Sequence, residues 1–121
     1  MIGFSGDAMT CWFDEHVDTR QSASVRAVAC ALAMQDAMRA FAQVPLPSGS
    51  TVALTMKAAV ATGPARRFVV GDSNIQLLDV VAGATLARMA AAEHLAQRGE
   101  VVGDALPRPR WKAGWRCWHG A

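Results

Sequence analysis

Near the start of the chain, Gly3-Phe4-Ser5-Gly6-Asp7-Ala8-Met9 sets an acid at the crest of an otherwise apolar stretch. Met1–Phe4 and Met9–Phe13 read as two strands, and Ser5–Ala8, with a glycine inside, has the length of a hairpin loop. Three kinds of chemistry suit Asp7. A turn aspartate bonds nearby backbone N–H groups. A carboxylate on a rigid turn can ligate a hard divalent cation such as Mg²⁺, which takes oxygen donors and substrate phosphates. A catalytic acid or base is the third, but no partner carboxylate is close in sequence.

The elements that must position this acid follow from periodicity. Asp14–Thr19 is polar and reads as a loop. Residues 21–42 form an alanine-rich helix, which Asp18 or Thr19 can cap. On it Cys30, Met34, Met38 and Phe41 share one face, and Val25, Val28, Ala29 and Leu32 make a second apolar patch nearly opposite. Two apolar sides predict two packing partners, one the sheet and one a surface outside this chain. Residues 45–50 make a turn, and residues 51–58 then alternate with the period of a strand. Thr62-Gly63-Pro64 turns the chain, Arg66–Val70 is a strand, and residues 71–74 break it. Residues 75–97 are expected to be mostly helical, with an interruption near Gly83. Glu100–Gly103 suits a short last strand. The order β-β-α-β-β-α-β predicts an α+β fold, with helices on one face of an antiparallel-rich sheet.

Composition narrows the class. One hundred and twenty-one residues, 52% of them hydrophobic, make one domain with a packed core. No run approaches the roughly 18 apolar residues of a membrane span, and no signal peptide is visible. The three cysteines form no CxxC pair and read as reduced thiols in a cytoplasmic chain. The net charge of +2 hides an asymmetry. Arg108, Arg110, Lys112 and Arg116 follow the last acid, Asp104; residues 1–104 carry eight basic groups against ten acidic ones. Residues 105–121 are a basic tail with Trp111, Trp115 and Trp118 and are expected to be poorly ordered. Basic groups among tryptophans can bind single-stranded nucleic acid, but stacking platforms normally sit on a folded base, so nucleic acid is not the expected partner.

The ordered set "GFSGDAMTCWF", long alanine-rich helix, "LTMKAAVATG", "RFVVGDSNIQLLDVVAGATLARM" and "GEVV" resembles the class III nucleotidyl cyclase catalytic domain over about residues 2 to 104. It is most similar to the cyclase domains of large bacterial proteins that carry tandem cyclase domains ahead of an ATPase and repeat region. The resemblance implies a ferredoxin-like fold and makes Asp7 the second of two metal-binding aspartates, holding Mg²⁺ or Mn²⁺. It implies attack of a ribose 3′-hydroxyl on the α-phosphate of ATP or GTP, ATP in preference, with loss of pyrophosphate. It also implies a second cyclase domain as partner and a role in intracellular signalling.

Departures from the family pattern set the expected activity. The family's other metal aspartate lies in a first strand that precedes everything found here, so the chain is expected to be truncated at its N-terminus. Base-reading lysine is replaced by Gly3, and the second base-reading position is Phe68. Counted from Gly71, the Asn and Arg that meet transition-state charge fall on Ile75 and Asp79. An insertion brings Arg88 into register, with Ala84 then in place of the Asn. Such a chain is the metal-holding half of a cyclase-like domain, inactive alone. The alternatives are a degenerate regulatory or dimerisation module and a nucleic-acid-binding tail. Arg66, Arg67 and Asp72-Ser73-Asn74 suit phosphate contact but equally a solvated strand edge and turn. His16, His94, Cys117 and His119 lack partners at metal-ligand spacing.

Overall fold

The computed structural model describes residues 2–15, 21–104 and 115–118. The fold is α+β. Two strands, β1 (Ile2–Ser5) and β2 (Ala8–Cys11), form an antiparallel hairpin. Helix α1 (Ala23–Met38) follows and runs into a short 3-10 turn at Arg39–Phe41. Its cap is Ser22, whose hydroxyl accepts from the Val25 N–H at 3.4 Å. Asp18 and Thr19, the expected caps, lie outside the described residues. Next come a two-residue pair, β3 (Val44–Pro45) with β4 (Thr51–Val52), and β5 (Ala58–Val60). A long ribbon of β6 (Arg66–Asp72) and β7 (Gln76–Ala82) leads into α2 (Ala84–Leu95), β8 (Val101–Asp104) and β9 (Trp115–Trp118).

The sheet differs from the expected one. β5, β8 and β9 form a parallel sheet with β8 in the middle, and the antiparallel strands stand apart as three separate pairs. The helices also lie on opposite faces rather than one. Alternate residues of a strand point to opposite sides. On one side Val101 and Val60 pack against Val28 and Ala31 of α1. On the other, Val102 packs against Ala92 and Ala96 from the end of α2, with Ala59 alongside. Parallel neighbours need a crossover connection, and the chain between β5 and β8 supplies one that contains α2. Each fully buried valine is worth about 1.5–3 kcal/mol.

Three further corrections concern single elements. Residues 76–82 are strand β7, not helix. Their seven-position register with β6 decides for a strand in a sequence of two leucines, two valines and an alanine, and Gly83 ends the strand instead of interrupting a helix. Residues 53–57, expected within one strand, lie outside any element. The patch of Val25, Val28, Ala29 and Leu32, expected to meet a surface outside this chain, instead contributes to the core through Val28, which is 1% exposed, with Leu32 packed beside it. In the tail, residues 115–118 pair with β8, while 105–114 and 119–121, where the expectation of disorder also falls, lie outside the described residues.

Polar contacts fix the sheet's entrance. The Gln35 side-chain amide donates to the Met56 carbonyl at 3.0 Å and to the Glu100 carbonyl at 3.1 Å, so α1 grips the lead-ins of both β5 and β8. Lys57 reaches Glu93 of α2, with its ammonium 2.8 Å from the carboxylate and 3.2 Å from the carbonyl. No helix among the described residues is long and apolar enough to cross a membrane.

Two predictions follow from this core. Val101→Ala and Val102→Ala should each cost about 1–3 kcal/mol, but unequally in place. Hydrogen exchange should quicken first in α1 for Val101→Ala and in α2 for Val102→Ala; identical patterns would mean that the two faces are one packing unit. The second concerns acid. A hydrogen bond from Lys57 holds the Glu93 carboxyl below its ordinary range. A depressed carboxyl stabilises the fold above its unfolded pKa of about 4.3 and loses that contribution as pH falls through the folded value. The stability difference between the protein and Glu93→Gln should therefore be present at neutral pH and vanish on acidification. Denaturant titrations across that pH range measure it.

Candidate functional site

Asp7 sits in a two-residue turn. Ser5 pairs with Ala8, which leaves only Gly6 and Asp7 to reverse the chain. Gly6 takes φ +61°, a conformation that a side chain disfavours, so the glycine of "SGDA" makes the turn possible. Asp7 is exposed. Among the described residues no group bonds its carboxylate. The turn-aspartate chemistry weighed for Asp7 occurs instead at Asp72, whose carboxylate accepts from the Asn74 N–H at 2.8 Å.

Below the turn runs a groove of about 470 Å³. Asp7 to Glu15 form one wall, Met56 to Gly63 another, and the alanine-rich side of α1 lies between them. The lining is largely apolar and sulfur-rich. Cys11 and Cys30 are free, half-buried thiols that both border it. Asp14 and Glu15 add carboxylates near the hairpin end. The described residues contain no group of three or more His, Cys, Asp or Glu able to hold a metal ion. Asp7 therefore has no ready-made ligand set around it among the described residues.

The "ATG" turn at the far rim is latched to the start of α2. Thr85, 5% exposed, donates from its hydroxyl to the Pro64 carbonyl at 2.7 Å. Arg88 donates to the Thr62 carbonyl at 2.6 Å. Between them lies Gly63, where an added Cβ would stand 2.7 Å from the Thr85 hydroxyl and 2.9 Å from the Arg88 guanidinium. This latch was not legible beforehand. Its one sequence signal is Thr85 two residues after Gly83, at a helix start.

The remaining candidates do not converge on the groove. Gly3 pairs with Thr10 in the hairpin. Phe68 lies on β6 and is 45% exposed. Ile75 occupies the ribbon tip, 86% exposed. Asp79 on β7 is held by Arg67, whose Nε donates to it at 2.7 Å, and that hydrogen bond lowers the carboxyl's pKa. Because α2 begins at Ala84, Arg88 rather than Asp79 stands one turn into a helix. Arg66 is exposed on β6, and His94 lies in the last turn of α2. Cys117 lies in β9, and His16 and His119 lie outside the described residues.

Two substitutions separate the rim from the turn. Gly63→Ala should destabilise by about 1–3 kcal/mol, because backbone and latch must part to admit a methyl group. Asp7→Asn should leave the unfolding midpoint unchanged, since the carboxylate has no partner among the described residues to lose. Thermal unfolding of both variants checks this; a destabilised Asp7→Asn would make Asp7 a structural residue.

No protein-family model, curated protein or solved structure matches the chain.

Proposed function

We propose that this chain is part of a class III nucleotidyl cyclase-like domain that contributes one metal-binding carboxylate, Asp7, and makes no cyclic nucleotide by itself. The observation that carries this is the state of Asp7. It stands at the crest of a tight, strand-backed turn, exposed, bonded by none of the described residues and at the edge of a groove. A carboxylate with only a turn to stabilise would bond the backbone, as Asp72 does. One left open on a rigid support suits Mg²⁺ or Mn²⁺. In this assignment Asp7 would help hold an ion whose chemistry would be to activate the 3′-hydroxyl of ATP or GTP and offset phosphate charge, and a second cyclase domain would supply base recognition and transition-state groups. The site belongs to a cytoplasmic signalling protein.

A ferredoxin-like cyclase domain also needs a strand carrying the other aspartate. Among the described residues β2 pairs only with β1 and β5 only with β8, and both line the groove. Strands with an open edge accept a further strand by backbone pairing, and the groove offers it a place.

The degenerate, regulatory form of such a domain has its own support. Ile75 and Asp79, the ungapped counterparts of the transition-state pair, belong to the ribbon, and Asp79 is engaged by Arg67. With α2 beginning at Ala84, the Asn position carries a methyl group, and Arg88 is turned to the Thr62 carbonyl.

Calorimetric titration with Mn²⁺, with and without ATP, tests the assignment on the chain as it is. Asp7→Asn should bind Mn²⁺ several-fold more weakly than the parent, and equal binding by the two proteins would remove the metal role. Incubation with Mn²⁺ and either nucleotide should yield no cyclic product. Turnover abolished by Asp7→Ala would instead make the single chain a complete enzyme.

A further inference from the structure

The β6–β7 ribbon has two unlike faces. Arg67, Val69 and Gly71 pair with Val81, Asp79 and Leu77 and form one of them. That face carries the Arg67–Asp79 ion pair, and its Arg67 and Val81 border a cavity with Trp12 and Phe13. The opposite face has Phe68 across from Val80 and Val70 across from Leu78. These four side chains form an unbroken apolar block, yet they are 45%, 40%, 46% and 53% exposed. A soluble fold seldom leaves such a block open without a use for it.

The ends of that face are charged, with opposite signs. Arg66 stands at the base of the ribbon and Asp72 near its tip, both in step with Phe68 and Val70. Six residues of extended chain separate them by roughly 20 Å. Arg66 is exposed and has no ion-pair or hydrogen-bond partner among the described residues. Asp72 uses one carboxylate oxygen on the Asn74 N–H, which leaves the other oxygen available.

A face that is positive at one end, apolar in the middle and negative at the other is complementary to itself. We propose that it pairs with the same face of a second copy of this chain. A two-fold axis across the strands stacks the two ribbons in opposite directions. It sets Phe68, Val70, Leu78 and Val80 against their counterparts and brings each Arg66 to the Asp72 of the other copy. Any two-fold contact of this kind is isologous, so each charge pair occurs twice. Two facing sheets pack with interdigitated side chains, as in a sandwich. The four half-exposed side chains offer roughly 300 Å² of apolar surface per copy, so the contact falls in the small, reversible class of interfaces. The pairing does not rest on the cyclase assignment.

Charge reversal in trans tests it. Sedimentation velocity of the whole chain, from micromolar to millimolar concentration, should show reversible dimerisation that weakens with salt. Arg66→Glu opposes Glu to Asp72 twice and should weaken it about ten-fold or more. Asp72→Lys opposes Lys to Arg66 twice and should do the same. An equimolar mixture of these two variants restores both attractions and should dimerise about as well as the parent. Phe68→Thr, which keeps a strand-compatible residue and the ribbon tip, should weaken association without changing the circular dichroism. Arg66→Glu and Phe68→Thr leave the Asp72–Asn74 bond intact and decide the matter if Asp72→Lys disturbs the tip. A parent that stays monomeric throughout, or dimers indifferent to both Arg66→Glu and Phe68→Thr, would overturn the proposal.

Discussion

The architecture depends on two adjacent valines. Val101 and Val102 are both almost wholly buried, and a strand cannot point neighbours the same way. β8 must therefore be covered on both faces, and the two helices do it. Once β8 is central and doubly covered, β5 lies parallel beside it. The chain must then cross over between them, and α2 becomes part of that crossover. Gln35 and the Lys57–Glu93 pair hold the entrance to this arrangement, but their exposed or half-exposed groups modulate a geometry that the valines impose.

The economy of that core explains much of the surface. Its buried members are valines and alanines, small side chains that let helices lie close to the strands. Larger apolar residues are left to the periphery. Phe68, Val69, Val70, Ile75, Leu77 and Leu78 all belong to the ribbon and its tip, and all are at least two-fifths exposed. The ribbon holds together through its own ladder and the Arg67–Asp79 pair, with few ties to the body. Its apolar side chains lie outside the core, whereas the groove beside α1 is shaped by the body itself.

Local sequence patterns were legible where one principle acted alone. The first hairpin followed from apolar flanks around a glycine, and α1 from its length, alanine content and spacing. The turn at residues 45–50 followed from proline and glycine. Strand β8 was legible from its short valine run, whereas β9 was not. What could not be read was pairing. Gln76–Ala82 has residues acceptable to either structure, and only the presence of β6 alongside decides for a strand. Parallel pairing of β5 with β8 joins segments about forty residues apart and leaves no local mark. The same limit hid which side of α1 is the core, because Met34 and Val28 are equally apolar and only the sheet's position ranks them. At the site, Asp7 and the Thr62-Gly63 turn were legible as landmarks. The latch formed by Thr85 and Arg88 was not, since it depends on where α2 begins.

The dipeptide Gly-Asp occurs at residues 6–7, 71–72 and 103–104, and the first two, each at a turn between paired strands, do different work. At the ribbon tip, Asp72 is the last strand residue before a three-residue loop, whose N–H groups lack a ladder partner. Its backbone carbonyl takes the Ile75 N–H at 3.0 Å and its carboxylate takes that of Asn74. At the first hairpin the strands pair up to Ser5 and Ala8, and among the described residues no N–H group bonds the Asp7 carboxylate. The two aspartates thus differ in use: Asp72 is bound into its own turn, and Asp7 is displayed on a turn closed by the strand ladder.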